Sequence, residues 1–380
     1  MKVMIVVTHL LGAGHLSRAL TLARAFSVHG HEATVVSGGR AVPHFNRTGV
    51  HLVQLPPLQS DGVNFTRLLA ASDDVATDDY LKSRQECLSE AFASCKPDVL
   101  ITELFPFGRR SLRGEFLGLL KTAKSMPTPP LILSSIRDIL APPSKPNRAQ
   151  VTDETISQCY DAVLVHSDAN VTPLDQSWPV TPALQSKLHY TGYVAPASSG
   201  PHPDAAGANE ILVSAGAGPV GDALFETTVA AASLATDRAW RILVGGTNQK
   251  DRIERLQGLD RSGAVIIEPT RPDFRQMLYH TACSVSMCGY NTALDLMQSG
   301  CPAVLVPFDD GGEVEQTLRA QSLARMSGMR MMKTADLTAQ TLMNAVTEIS
   351  GKRRPPGAGF HLDGANETVR TVAALMQERS

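Results

Sequence analysis

Three groups of residues in this chain have the types and spacing that chemistry needs. His15 closes the glycine loop Gly12-Ala13-Gly14 and opens an apolar-periodic segment. A histidine at a helix start meets the positive helix end, which lowers its pKa and favours a neutral ring able to take a proton. The same position also suits a histidine that only hydrogen-bonds its loop. Glu103 ends the apolar run 99–102 and is a second candidate base. In the second half, Gly289 makes a tight turn before Asn291, Thr292 and Asp295. Such a turn offers backbone N–H groups and a helix end to an anion. Asp295, one turn further in, is placed to bond ribose hydroxyls, as acidic residues do in dinucleotide-binding folds. An exposed helical acid is the plain alternative.

Further polar residues fall at equivalent places. Ser214, Gly216 and Gly218 repeat the glycine-loop device, either to approach a phosphate or simply to make a turn. Glu315 and Gln316 follow the apolar run 303–308, and their oxygens and amide suit sugar hydroxyls or the capping of a helix. Arg109, Arg110 and Arg113 form a basic cluster, a solvated face or a contact for an anionic acceptor or lipid phosphate. Arg137, Asp138, His166 and Asp168 lie at strand exits. Together these residues point to a nucleotide-sugar site.

The elements that must position them alternate in type. Residues 1–37 read as strand, glycine loop, helix and strand, with Leu16, Ala19, Leu20, Ala23 and Phe26 at helical spacing. A third strand at 50–55 stops at Pro56 and Pro57, and a polar helical stretch follows from about 65 to 95. Strands are predicted at 99–102, from 131 and from 162. Residues 195–208 are rich in Pro, Gly and Ser and read as an interdomain linker. The pattern then restarts: a strand and glycine loop at 210–218, a helix at 222–235, and further segments at 240–246, 264–270, 284–292 and 303–308 at the spacing of alternating strand and helix. The expected architecture is α/β, with parallel sheets in domains at 1–194 and 209–361 and a closing helix at 362–380 that packs back on the first.

Composition narrows the functional classes. The chain has 380 residues, enough for two domains, with 43% hydrophobic and 19% charged residues. A formal net charge of −2 supplies no overall drive toward nucleic acid. Cysteines 87, 95, 159, 283, 288 and 301 form no CxxC pair and no zinc spacing, which suggests reduced thiols in a cytoplasmic protein. The apolar run from Met4 leads straight into the glycine turn and reads as a strand rather than a leader. No stretch reaches the roughly 20 apolar residues of a membrane span, while peripheral membrane contact stays open.

The motifs taken together resemble the MurG-like (family 28) group of GT-B glycosyltransferases, closest to bacterial enzymes of that type. The likeness rests on Gly289, Asn291, Thr292 and Asp295, the run GCPAVLVPF from Gly300, Glu315 with Gln316, and the amino-terminal GAGHLSRAL. It implies two facing Rossmann-like domains, the first for the acceptor and the second for a nucleotide sugar, UDP-linked by resemblance. Asp295 would take the ribose, where the family usually has Glu. Gly216 and Gly218 would serve the diphosphate, Thr270, Arg271 and Phe274 the base edge, and Glu315 and Gln316 the sugar. Gly12, Gly14, Arg109 and Arg137 would lie on the acceptor side. The implied reaction is inverting transfer without metal or other cofactor, with His15 as base before Glu103. The loop TELFPFGRR departs from the family pattern, so the acceptor is open among small molecules, lipid-linked carriers and peptides. A UDP-sugar hydrolase or a UDP-N-acetylglucosamine 2-epimerase fits the same donor residues.

Overall fold

The computed structural model describes residues 1–60, 67–216, 220–234, 238–246, 248–261, 263–310 and 313–379. The chain forms two compact units, Met1–Pro196 with Asp363–Ser380, and Ala197–Leu362.

In the first unit the elements are β1 (Lys2–Val7), α1 (Gly14–Val28), β2 (Glu32–Ser37), β3 (Val50–Gln54), β4 (Gln59–Ser60), β5 (Leu68–Leu69), α2 (Asp78–Cys95), β6 (Val99–Glu103), α3 (Arg113–Lys124), β7 (Leu131–Arg137), α4 (Pro146–Cys159), β8 (Ala162–His166), α5 (Pro182–Gln185) and β9 (Leu188–Tyr190). Seven strands make a parallel sheet in the order β3-β2-β1-β6-β7-β8-β9. Val3 to Val7 of β1 are wholly buried, because helices cover both faces of a parallel sheet. In α1, Leu16, Ala19, Leu20, Ala23 and Phe26 lie against the sheet, as their spacing requires. The second unit holds β10 (Ile211–Ser214), α6 (Asp222–Ala232), β11 (Trp240–Val244), α7 (Gln249–Leu259), β12 (Val265–Pro269), α8 (Phe274–Met277), β13 (Cys283–Ser286), α9 (Tyr290–Ser299), β14 (Ala303–Leu305), α10 (Glu315–Leu323), β15 (Met329–Met331) and α11 (Ala339–Ile349). Its six parallel strands run β12-β11-β10-β13-β14-β15.

The last helix, α12 (Gly364–Arg379), belongs to the first unit. Val369 and Val372 join the core formed by α1, and Gly364 donates to Tyr193 O at 3.0 Å. A Cβ on Gly364 would lie 2.4 Å from Gly192 O, so only glycine permits that approach. The segment beginning at Ala197 is fastened to the second unit despite its Pro, Gly and Ser. Ser198 bonds the Tyr279 hydroxyl at 2.7 Å, and His202 O meets His280 Nε2 at 3.0 Å.

Local structure departs from the sequence expectation in two places. The polar helix expected from about residue 65 begins at Asp78, capped by the Thr77 side chain. Ahead of it Leu68–Leu69 pairs antiparallel with Gln59–Ser60, a tertiary pairing that overrides local propensity. The strands β9 and β15 are three residues each, too short for periodicity to reveal.

Candidate active site

In each parallel sheet the strand order reverses once, and several of the candidate residues lie beside that point. In the first, β1 lies between β2 and β6, so the loops after β1 and β6 flank the point where strand order reverses. Ligands of open α/β sheets bind at such points, beyond the carboxyl ends of the strands. His15 follows β1 and Glu103 ends β6, which brings together two residues far apart in sequence. His15 Nδ1 lies 3.0 Å from Glu103 Oε1, and Arg18, one turn further along α1, also bonds that oxygen. Ser135 Oγ donates to Glu103 Oε2 at 2.7 Å. His15 Nε2 makes no hydrogen bond among the described residues, and its side chain keeps 15% exposure while that of Glu103 keeps 1%.

Burial raises the pKa of Glu103, but the Arg18 charge and the hydrogen bonds from His15 and Ser135 outweigh it and hold the carboxyl well below the usual range. Glu103 is thus an ionised, fully engaged carboxylate. His15 is pulled down to about 3, first by burial and then by the Arg109 and Arg18 charges, against the raising effect of Glu103. The ring is neutral, and its Nδ1 faces both the Glu103 carboxylate, which only accepts, and Arg18 Nη2 at 3.2 Å, which only donates; the shorter contact, 3.0 Å to the carboxylate, puts the proton on Nδ1. The free Nε2 carries a lone pair. Gly12 and Gly14 are exposed, with open space where side chains would be. Arg109 is held in the left-handed region at φ 57° and donates Nε to Thr8 O at 2.5 Å. Burial, offset in part by Glu103, lowers its guanidinium to about 10. Arg137 is half-buried at the end of β7, whereas Arg110 and Arg113 are exposed.

A buried arginine that periodicity did not reveal supports this edge. Arg84 of α2 donates to Thr8 Oγ1 (2.8 Å), Gly38 O (2.8 Å), Pro56 O (2.6 Å) and Glu115 Oε2 (2.6 Å). One guanidinium thereby joins the chain beyond β1, β2 and β3 to α3. Its five donors suit several acceptors at once. Nothing local in the sequence marks Arg84, since the polar face of α2 carries other charges.

In the second unit the reversal falls between β10 and β13. Ser214 ends β10 and its Oγ accepts from Gly216 N at 3.1 Å; Gly216 adopts φ +78°, which favours glycine. Gly218 lies outside the described residues. Gly221 is the N-cap of α6 at φ +101°, and a Cβ there would come 2.3 Å from that of Ala215. Gly289 is the N-cap of α9, and the cap residue makes no side-chain hydrogen bond to the helix end. Asn291 is exposed and Thr292 half-buried. Asp295 Oδ1 accepts from Arg275 Nε at 2.8 Å. Burial pushes its carboxyl up to about 6, against the pull of Arg275.

The remaining candidates share the carboxyl edge of the same sheet. Thr270, exposed, continues β12 by donating to Val244 O at 3.0 Å. Arg271 is committed to Asp273 through two bonds of 2.8 and 2.6 Å, and Phe274 opens α8 half-buried. Glu315 opens α10 and accepts from Arg319 at 2.9 Å; Arg319 also donates to Cys288 O at 3.0 Å and lies over the Tyr290 ring. Buried Arg319 therefore fixes the turn into α9 from the helix that carries Glu315 and Gln316. Gln316 accepts from Phe308 N at 3.2 Å. Arg275 and Arg319 had no signal of their own in the sequence, because each acts through a partner brought in by the fold.

The six cysteines are free thiols, three of them buried. Among the described residues no group of three or more His, Cys, Asp and Glu could hold a metal ion, and no helix is long and apolar enough to cross a membrane.

Residues 224–356 match the glycosyltransferase family 28 C-terminal domain, a stretch that contains Asp295, Glu315 and Gln316. Two curated relatives are UDP-N-acetylglucosamine--N-acetylmuramyl-(pentapeptide) pyrophosphoryl-undecaprenol N-acetylglucosamine transferases. That of Solibacter usitatus is 28% identical over 94 residues, 25% of this chain and 26% of the relative. That of Bacillus thuringiensis strain Al Hakam is 30% identical over 138 residues, 36% of this chain and 37% of the relative. The chain thus matches between a quarter and two fifths of the length of these two relatives. Among solved structures, Acinetobacter baumannii MurG matches with a TM-score of 0.63 at 15% identity, covering 98% of this chain and all of that one. The kitacinnamycin glycosyltransferase matches with a TM-score of 0.64 at 18% identity, covering 99% and 97%. At such identities the likeness concerns the fold, which is GT-B. On that fold residues 224–356 are similar to the family 28 C-terminal domain, and the chain resembles the MurG-like glycosyltransferases.

Proposed function

We propose that the protein is an inverting, metal-independent glycosyltransferase that moves a sugar from a nucleotide donor, UDP-linked, to an acceptor hydroxyl. The observation that carries this reading is the His15 ring, its Nδ1 held by buried Glu103 and its Nε2 open. In the proposed step Nε2 takes the acceptor proton as the acceptor oxygen bonds the anomeric carbon and the bond to the diphosphate breaks. The proton rests on His15, whose imidazolium Glu103 stabilises, and the electron pair leaves with the diphosphate. Glu103 is then an orienting group, because Arg18, Ser135 and His15 already occupy it. The loop at Gly216 and the start of α9 at Gly289 are suited to the leaving diphosphate. Asp295 with Arg275 would meet the ribose, Thr270, Arg271 and Phe274 the base, and Glu315 with Gln316 the sugar.

The acceptor class stays open; the relatives' names specify an undecaprenol-linked one, and peripheral attachment at the inner membrane face belongs to the proposal on that ground. The test is UDP release from a panel of UDP-sugars with and without candidate acceptors. A transferase is slow until an acceptor is added. Rapid release without any acceptor would instead identify a hydrolase or epimerase.

A further inference from the structure

Behind His15 a line of hydrogen bonds crosses four adjacent strands. Glu103 ends β6, Ser135 lies on β7, His166 ends β8, and Thr191 follows β9. The contacts are Glu103 Oε2 to Ser135 Oγ at 2.7 Å, Ser135 Oγ to His166 Nε2 at 2.9 Å, and His166 Nδ1 to Thr191 Oγ1 at 2.8 Å. Ser135 and His166 are wholly buried and Thr191 is 2% exposed.

The direction of every bond follows from one end. Ionised Glu103 can only accept, so Ser135 spends its single proton on Oε2. Its contact with His166 must then be one it accepts, which places the His166 proton on Nε2. His166 Nδ1 is left as an acceptor, and the Thr191 hydroxyl donates to it. At the other end His15 Nδ1 donates to Oε1 at 3.0 Å as long as the carboxylate is held there; Arg18, which also bonds Oε1, lies 3.2 Å from Nδ1 and would donate to it if the carboxylate turned away. A protonated His166 would donate on both sides and lose this order; burial and the Arg18 charge lower its pKa to about 3, which keeps the ring neutral.

We infer that Ser135 and His166 are positioning residues: with Thr191 they form a polar relay that clamps the Glu103 carboxylate and thereby holds His15 as the Nδ1–H tautomer with Nε2 unprotonated. The neighbouring strand positions Leu133, Val163 and Val165 are apolar core residues, so a polar chain here is not required for packing. Fully satisfied, such a network rigidifies the group at its end. The inference rests on the reading of His15 as the base.

The experiment is long-range proton–nitrogen correlation of the imidazoles in the full chain, labelled with 15N-histidine and studied near pH 7 without donor or acceptor. The eleven histidines are assigned through single His→Gln variants. His15 is expected only as Nδ1–H and His166 only as Nε2–H. In Ser135→Ala, His166 Nε2 loses its acceptor, so the ring should switch to Nδ1–H and donate to Thr191, whose hydroxyl can turn to Gly192 O. His15 should then become a mixture of tautomers. His166→Gln, whose amide can still donate to Ser135, should keep His15 a single tautomer, and it serves as the informative variant where Ser135→Ala fails to fold. A wild-type His166 that is Nδ1–H or doubly protonated overturns the inference, as does a mixed His15 in His166→Gln or an unchanged one in Ser135→Ala. These spectra need no turnover, so their failure is separate from that of the reading of His15 as the base, which the turnover of His15→Ala decides, and from that of the transferase reading, which acceptor-dependent UDP release decides.

Discussion

Lowering the pH from 7 to 5 is expected to destabilise the first unit substantially, and the amount follows from two histidines. His15 and His166 are buried neutral, with pKa values of about 3 in the fold against 6.5 in the unfolded chain. Between those values the unfolded chain binds protons that the folded one refuses. Their contribution is therefore fully present above pH 6.5 and is lost progressively as pH falls toward 3. For one such imidazole the linkage relation gives a loss of about 1.9 kcal/mol between pH 7 and pH 5, and roughly 4 kcal/mol for the pair. His9, also lowered by burial, acts in the same direction. Glu103, held below the ordinary range, contributes stability that is lost only at more acid pH than this window. Asp295, raised to about 6, acts oppositely but belongs to the second unit. The two units can be read separately, because the two tryptophans are Trp178 in the first and Trp240 in the second, both buried. Urea unfolding of Trp240→Phe, followed by Trp178 fluorescence, measures the first unit at each pH. In the added variant His15→Gln the pH-dependent loss should shrink to about half, since one of two equal contributions is removed. A Trp178 transition that does not move between pH 7 and pH 5, or that moves as far without His15, would refute the reasoning.

Further expectations concern single positions. His15→Ala should lower turnover by about 10²–10⁴-fold, the usual worth of general base catalysis, with donor affinity nearly unchanged in calorimetry; full turnover would remove it as the base. Asp295→Ala should weaken UDP binding by roughly ten- to a hundredfold, as loss of a charged hydrogen bond does, while circular dichroism stays unaltered; undiminished affinity would end the ribose assignment. Gly221→Ala forces a Cβ against Ala215 at φ +101° and should destabilise the second unit by about 1–3 kcal/mol, read by Trp240 fluorescence in urea. Arg84→Met leaves Glu115 buried without its partner and should destabilise the first unit by about 3–5 kcal/mol; an unshifted Trp178 transition would show that the guanidinium hub is dispensable.

The alternation of apolar runs with glycine loops was legible in the sequence because a parallel sheet buries both faces of its strands and leaves continuous signals such as Val3 to Val7. Gly289, Asp295, Glu315 and Gln316 were legible because turn chemistry and helix starts are local. Where periodicity had little length to work with, as at the two-residue strand Leu68–Leu69 and the three-residue strands β9 and β15, pairing decided the structure.

The sequence by itself determined that polar residues would end the strands, and it singled out His15 and Glu103 as separate candidates for one role. Only the tertiary structure brought the two together and gave them different protonation states. It did so by reversing strand order at β1 and β6, which puts residues 88 positions apart within 3.0 Å. It then buried Arg18, Ser135 and His166 around the carboxylate. An isolated Glu and an isolated His titrate alike wherever they stand in a sequence. Burial, a neighbouring guanidinium and a directed chain of hydrogen bonds make one a fixed anion and the other a neutral ring with a free nitrogen, and those are properties of the fold.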